Sequence, residues 1–238
     1  GCYYLTKMTD APGNAPRRFP DRLAVRRAFD HGVVGLHEKI QVRIDAQTVE
    51  TTPGRVILAE ILPPELSFDL VNKLMKKKEL AALIDVSFRQ LGRERTIGLL
   101  DDLKSTGYRY ASRAGISIAI DDMQIPDRKR EVVDGALKAV EEVEGQYAEG
   151  LITRGEKYNK VIDVWAQATE QVAGALLAEL QKEEQPLKQK GAAGHGRAAG
   201  FNPIFMMVDS GARGSTQQIR QLAGMRGLMA KPSGEIIE

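Results

Sequence analysis

The segment 126–182 constrains the fold more than any other part of the chain. It holds two amphipathic stripes on either side of a glycine-bounded tip. In the first, Val133, Leu137, Val140 and Tyr147 mark an apolar line that Gly150 interrupts. In the second, Tyr158, Ile162, Trp165, Thr169, Val172, Leu176 and Leu180 recur at spacings of four, three, four, three, four and four. Such spacing keeps one face of an α-helix against a partner, in the manner of a coiled-coil seam. Two helices joined by so short a tip fold back as an antiparallel hairpin. At ~1.5 Å per residue the hairpin is roughly 35–40 Å long. Glu131, Asp134, Glu141, Glu142, Glu144 and Glu149 on the first helix exclude its full burial, so the hairpin is predicted to project. Pro126 suits a first helical turn, and Trp165 is placed in the core of the pair.

The remaining pattern is mixed. Residues 22–29 read as a short helix, and Ile40-Gln41-Val42-Arg43-Ile44 alternates at period two, a strand that buries Ile40, Val42 and Ile44. Thr51-Thr52-Pro53-Gly54 reads as a turn before the apolar run 55–61. Helices are predicted at 69–78, at 79–91 with Leu80, Leu83, Ile84 and Phe88 inward and Gly92 as its stop, and at 96–106 ended by Gly107. Ile116-Ser117-Ile118-Ala119-Ile120 alternates and reads as a strand. Asp121-Asp122 comes next; adjacent carboxylates on extended chain point to opposite faces, which favours a turn or cap over a metal pair. The fold class is therefore α+β, mainly α.

Composition narrows the function. One cysteine, Cys2, excludes a disulfide framework and a cysteine-rich zinc site and fits a reducing cytoplasm. His31, His37 and His195 lie apart, so no histidine metal site is expected. No apolar run reaches the ~18 residues of a membrane span, and GCYYLTKMTD shows no signal-peptide pattern. The formal net charge of +2 is weak for a free-standing nucleic-acid binder. The charge is uneven, however: Arg213, Arg220, Arg226 and Lys231 come after Asp209 with no acid before Glu235. The stretch 183–200 is a flexible linker by composition. Its Gly194-His195-Gly196-Arg197 lacks the ending and the preceding strand of a phosphate loop.

Residues 201–238 have a texture of their own. Met206, Met207, Met225 and Met229 are four of the 7 methionines, and Gly211, Gly214, Gly224 and Gly227 punctuate the segment. Ser215 is predicted to cap a helix through Gln217, Gln218, Ile219 and Leu222. Cationic side chains beside a helix N-terminus suit phosphate. The alternative is a solvated basic face beside a Met-rich core.

MMVDSGARGSTQQIRQLAGMRGLMAKPSGEIIE resembles, over a long and nearly gap-free stretch, the segment upstream of the bridge helix in the largest subunit of bacterial DNA-dependent RNA polymerase. Other pieces agree in order. TTPGRVILAEILP resembles the family's strand-and-turn entry, AGISIAIDDMQIP the segment before its rim helices, and GLITRGEKYNKVIDVWAQA their tip and second helix. GCYYLTKM and GLHEKIQVRI resemble the pieces before these. The resemblance covers the chain except 183–200.

That resemblance implies a nucleotidyltransferase that copies DNA into RNA with two Mg2+ ions. The family's Asn-Ala-Asp-Phe-Asp-Gly-Asp metal loop is expected before residue 1, and its bridge helix and trigger loop after Glu238. No catalytic or metal-ligating residue is therefore expected here, and the chain alone is expected to be inactive. Any Zn2+ would be held elsewhere in the subunit. The implied roles are a wall of the nucleotide-entry channel and a dock for regulators. Arg213 matches an arginine near the incoming triphosphate. Gln218, Arg220, Met225 and Arg226 match a loop that braces the active centre. Tyr158, Asn159, Lys160 and Asp163 match the landing site of Gre-type secondary-channel factors. In some members the rim positions help bind guanosine tetraphosphate, and Asp101 matches a position near a second such site. Glu94 stands where those members carry lysine, and its carboxylate would repel the phosphates.

The implied partners are the alpha, beta, omega and sigma subunits, DNA template, RNA product and nucleoside triphosphates, in the cytoplasm and with no membrane. The organisation expected is a β-containing segment 1–62, a helical core 63–125, the hairpin 126–182, the linker 183–200 and a basic loop-helix segment 201–238. A stand-alone helical-hairpin interaction protein with a nucleic-acid-binding basic tail is the alternative, and a naturally split polymerase subunit a third reading.

Overall fold

The structure, a computed structural model, describes residues 1–9, 16–45, 47–123, 125–182 and 202–237, without the side chains of 121, 181 and 182. The proposed linker 183–200 and its His195 lie outside the described residues. The chain divides into two compact units, 1–117 with 209–212, and 118–208 with 213–238. The fold is α+β and mainly α.

The first unit begins with helix α1 (Cys2–Thr6), strand β1 (Arg17–Phe19), helix α2 (Arg22–Asp30) and strands β2 (Ile40–Ile44) and β3 (Gln47–Thr51). The strands form one sheet in the order β1-β2-β3. β1 runs parallel to β2 with Arg17 opposite Ile40, and β2 runs antiparallel to β3 with Val42 opposite Val49. Ile40, Val42 and Ile44 are buried, as their alternation requires. Asp21 caps α2 by accepting from Ala24 N at 2.7 Å.

Helix α3 (Pro53–Ala59) occupies the stretch read as a turn and a strand entry. Thr52 caps it, its Oγ1 accepting from Arg55 N at 3.3 Å, and Pro53 fills the first helical turn. Every residue of α3 is buried, so no amphipathic period marks it as helical. The cap and proline were the available signal. Arg55 goes inside with it and donates to Thr6 O at 2.9 Å and to Asn72 O at 3.2 Å.

A short 3-10 turn at Phe68–Leu70 stands where a helix over 69–78 was expected. Helix α4 (Lys77–Ala114) then merges the two helices predicted on either side of Gly92. Gly92 does break the helix, with φ 79° and ψ −176°, but the chain resumes the helix at once. Around the break Thr96 Oγ1 donates to Gly92 O at 2.8 Å and lies 3.1 Å from Ser87 Oγ. That backbone conformation belongs to glycine, and an added Cβ would meet nothing within 4 Å. Gly92→Ala is therefore expected to lower stability by about 1–3 kcal/mol through backbone strain alone. A reduced urea midpoint at constant m checks this; an unchanged midpoint would show that the break tolerates a side chain.

Gly107 does not end a helix. It lies inside α4, and a Cβ added at Gly1 would collide with Gly107 O. The residue that must lack a side chain at this approach is Gly1; a Cβ on Gly107 would meet Cys2 Sγ at 3.7 Å, an ordinary contact. The helix ends at Gly115, φ 60°. The core of this unit gathers Leu5, Val25, Val42, Val56, Leu58, Val71, Met75 and Leu83.

The second unit opens with extended chain and a 3-10 turn at Ile120–Asp122 in place of the expected 116–120 strand. Ile118 and Ile120 are 55% and 91% exposed. Alternation without a strand to pair with makes no sheet. Asp122 works as a cap: its Oδ2 accepts from Ala119 N at 2.7 Å.

Helices α5 (Lys129–Ala148) and α6 (Arg154–Lys182) form the antiparallel hairpin. Lys157 Nζ meets Glu144 at 3.2 Å near the tip, and Asp127 N donates to Glu179 Oε1 at 3.3 Å near the base. The contact face of α5 differs from the predicted one. Ala136 and Val143 are buried, whereas Leu137 and Tyr147 are 46% and 42% exposed. Small side chains let the helices approach, and the larger ones beside them are displaced to the flank. On α6 the buried line is Val161, Ala168, Thr169, Val172, Leu176 and Leu180, with Tyr158, Ile162 and Trp165 half-buried. Trp165 is thus not in the core of the pair. Helices α7 (Pro203–Ser210) and α8 (Thr216–Ala223) complete the unit, and Ile204, Phe205, Ile219 and Ala223 pack on Leu176 and Leu180.

Candidate functional site

The loop between α7 and α8 carries Arg213. Its backbone is fixed: Arg213 N donates to Met207 O at 3.3 Å, and Gly214 comes next with φ +83°. Ser215 then starts α8 with a reciprocal cap. Its Oγ accepts from Gln218 N at 3.3 Å, and Gln218 Oε1 accepts from Ser215 N at 3.0 Å. Such a cap stabilises the helix start by about 1 kcal/mol. Gln218, expected among the bracing residues, thus has a local task that holds the Arg213 loop in shape.

Arg213 is exposed, and its guanidinium makes no ion pair or hydrogen bond among the described residues. It borders a cavity of about 340 Å³ with Gln218 and an apolar side of Ile204, Met207, Val208 and Leu222. Among the described residues no carboxylate lines this cavity. A guanidinium held beside a helix N-terminus, without an acid to neutralise it, can take phosphate oxygens bidentately.

The other expected bracing residues fall in two further grooves of the same unit. Arg220 faces Glu170, Gly174 and Leu177 of α6 in a space of about 290 Å³, and its Nε is buried without a hydrogen-bond partner among the described residues. Met225 and Arg226 line a groove of about 320 Å³ with Lys129, Trp165 and Thr169. Arg213, Gln218, Arg220, Met225 and Arg226 thus surround α8, but they do not converge on one cavity.

Near the hairpin tip, Thr153 and Glu156 form a second reciprocal cap. Thr153 N and Oγ1 donate to Glu156 Oε2 at 2.7 and 2.9 Å, and Glu156 N donates to Thr153 Oγ1 at 3.3 Å. These hydrogen bonds from the Thr153 backbone and side chain hold the Glu156 carboxyl below its ordinary pKa. Asn159, Lys160 and Asp163 are exposed, and Lys160 Nζ donates to Gln146 Oε1 at 3.0 Å. Tyr158 is half-buried. Its hydroxyl donates to Ile236 O at 3.2 Å and accepts from Ile236 N at 2.9 Å. No pattern of residue types signals that bond, because the partner offers only backbone atoms.

In the first unit Glu94 and Asp101 are exposed on α4, and Asp101 pairs with Lys104 at 2.7 Å. Cys2 is buried, and burial pushes its thiol pKa up, so it is a poor nucleophile. Burial pushes His37 down. Among the described residues no group of three His, Cys, Asp or Glu side chains is placed to hold a metal. No helix among them is long and apolar enough to cross a membrane.

A family model described as RNA polymerase Rpb1, domain 3, matches residues 1–123. A second, described as RNA polymerase Rpb1, domain 4, matches residues 152–238. The DNA-directed RNA polymerase subunit beta' of Syntrophobacter fumaroxidans (strain DSM 10017 / MPOB) is 54% identical over 239 residues, covering 100% of this chain and 17% of that subunit. With one domain model over each end, in chain order, and this identity along its whole length, the chain belongs to the RNA polymerase Rpb1 family.

Proposed function

We propose that the chain is the portion of a DNA-directed RNA polymerase largest subunit that walls the path of incoming nucleotides and presents a hairpin to regulators. The observation that carries this is Arg213: an exposed guanidinium without an ion pair among the described residues, on a backbone held by Met207 O and by the Ser215 cap, at the edge of a cavity that no carboxylate among those residues lines. Its task is to receive the triphosphate. The chemistry of nucleotidyl transfer belongs to magnesium ions held by residues outside this chain, and nothing here performs a step of it. Arg220, Met225 and Arg226 support the active centre by packing. The exposed Asn159, Lys160 and Asp163 offer both charges and an amide within about one turn of α6, a surface suited to a protein factor entering the secondary channel.

A complementation experiment tests membership in a transcribing enzyme. The missing parts of the largest subunit are assembled with the alpha, beta, omega and sigma subunits, DNA template and nucleotides, with and without residues 1–238. Templated RNA synthesis is expected only with the chain present. Equal synthesis without it would end the reading.

A further inference from the structure

We infer that Tyr158 is a positioning residue that ties the hairpin to the C-terminal loop through its hydroxyl, so that movement of α6 is carried to Met225 and Arg226. This rests on the reading of that loop as a support of the active centre.

The bond is unusual in kind. One phenol satisfies both backbone groups of a single residue, donating to Ile236 O at 3.2 Å and accepting from Ile236 N at 2.9 Å. Ile236 is not a loose end. It bridges Ala230 in antiparallel fashion, Lys231 N donates to Glu235 O at 2.7 Å, Ile237 N donates to Met229 O at 2.8 Å, and Lys231 Nζ pairs with Glu235 at 2.9 Å. The segment 229–237 is therefore a closed turn that moves as a piece.

Upstream of that turn the chain keeps to α6. Residues 224–228 share a groove with Trp165 and Thr169, and before them Ile219 and Ala223 of α8 pack on Leu176 and Leu180. The contact points on α6 are thus 158, 165, 169, 176 and 180, which recur every seven and four residues and fall on one helix face. The loop is fastened at the α8 end by apolar packing and at the far end by the Tyr158 hydroxyl. A ligand or protein that claims that hydroxyl competes with Ile236 and loosens the far end.

The test uses the assembled full-length enzyme with Tyr158→Phe, which keeps the ring and its packing. Hydrogen exchange is measured without nucleotide. Losing a hydrogen bond worth about 0.5–1.5 kcal/mol should speed exchange at 236 roughly two- to tenfold, with the increase spreading into 224–237. The maximal rate of nucleotide addition should fall while the nucleotide KM stays unchanged, a split that mere loss of fold would not give. Unaltered exchange overturns the tie itself; faster exchange with an unaltered maximal rate overturns the coupling to the loop. Because exchange is read without substrate, a failure of the Arg213 assignment would leave this result standing, and the two ideas fail separately.

Discussion

Replacing Arg213 by alanine in the assembled enzyme is expected to raise the nucleotide KM roughly tenfold to a hundredfold, the value of one charge-assisted, two-pronged phosphate contact of about 1.5–3 kcal/mol. The upper half of that range applies because the residue is ready for its ligand. An arginine paired with a carboxylate would have to surrender that partner first; among the described residues Arg213 has no such pair and no acid lines the cavity beside it. The backbone needs no rearrangement either, since Met207 O fixes Arg213 N and the Ser215–Gln218 cap fixes the start of α8 just beyond it. Removing a contact made equally in the ground and transition states raises KM and spares the maximal rate. Arg213→Lys keeps the charge and loses the planar fork, so it should recover part of the loss and not all of it. Steady-state RNA synthesis at varied nucleotide concentration measures both variants. A KM indifferent to Arg213→Ala would remove the residue from the substrate path.

Some of this arrangement could be read without coordinates, for identifiable reasons. The hairpin followed from the repeat of apolar residues along α6 and the glycine at its tip, and β2 from strict alternation, because both are periodic and half-exposed. The α8 cap was legible in Ser215. The failures have physical causes. Helix α3 is buried on all sides, so its period vanishes, and Thr52-Pro53 looked like a turn while acting as a helix start. On α5 the buried residues are Ala136 and Val143, one position from the apolar stripe of Val133, Leu137, Val140 and Tyr147, because an alanine carries too little apolar weight to mark a face by itself. Gly107 reads as a terminator but lies inside α4, and the close approach there constrains Gly1, whose added Cβ would meet Gly107 O, a residue distant in sequence. The site divided in the same way. Arg213 entered through resemblance of its flanking segment and is consistent with an exposed cation. The tie from Tyr158 to Ile236 spans 78 residues and ends on backbone atoms, which carry no signature of residue type.

The second large effect concerns stability and falls on Gly54. A Cβ there would collide with Leu5 O and lie 3.2 Å from Leu36 O, both backbone atoms. Flexible side chains could step aside, but these neighbours cannot without moving their elements. Leu36 O already accepts from Gly54 N at 3.0 Å. Leu5 is fully buried in α1, and the next residue, Thr6, accepts from Met75 N through Oγ1 at 2.9 Å and from Arg55 Nε through its carbonyl at 2.9 Å. Pushing α1 off α3 to relieve the clash would stretch both bonds and leave buried donors, Arg55 among them, poorly matched. Overpacking costs about 1–3 kcal/mol, and each weakened buried hydrogen bond adds about 1–3. Gly54→Ala should therefore destabilise the first unit by about 3–5 kcal/mol, a large share of the roughly 5–15 that a domain possesses. Gly98→Ala supplies the contrast within the same unit. It sits in α4 with nothing within 4 Å of an added Cβ, so alanine should match or exceed wild type there. Urea unfolding of the 238-residue chain, read by hydrogen exchange in α1 and α3, measures both. If the two alanines behave alike, the tight contact between α1 and α3 is not what holds this unit together, and the burial of Arg55 must be maintained by something other than the fit of Gly54 beneath Leu5.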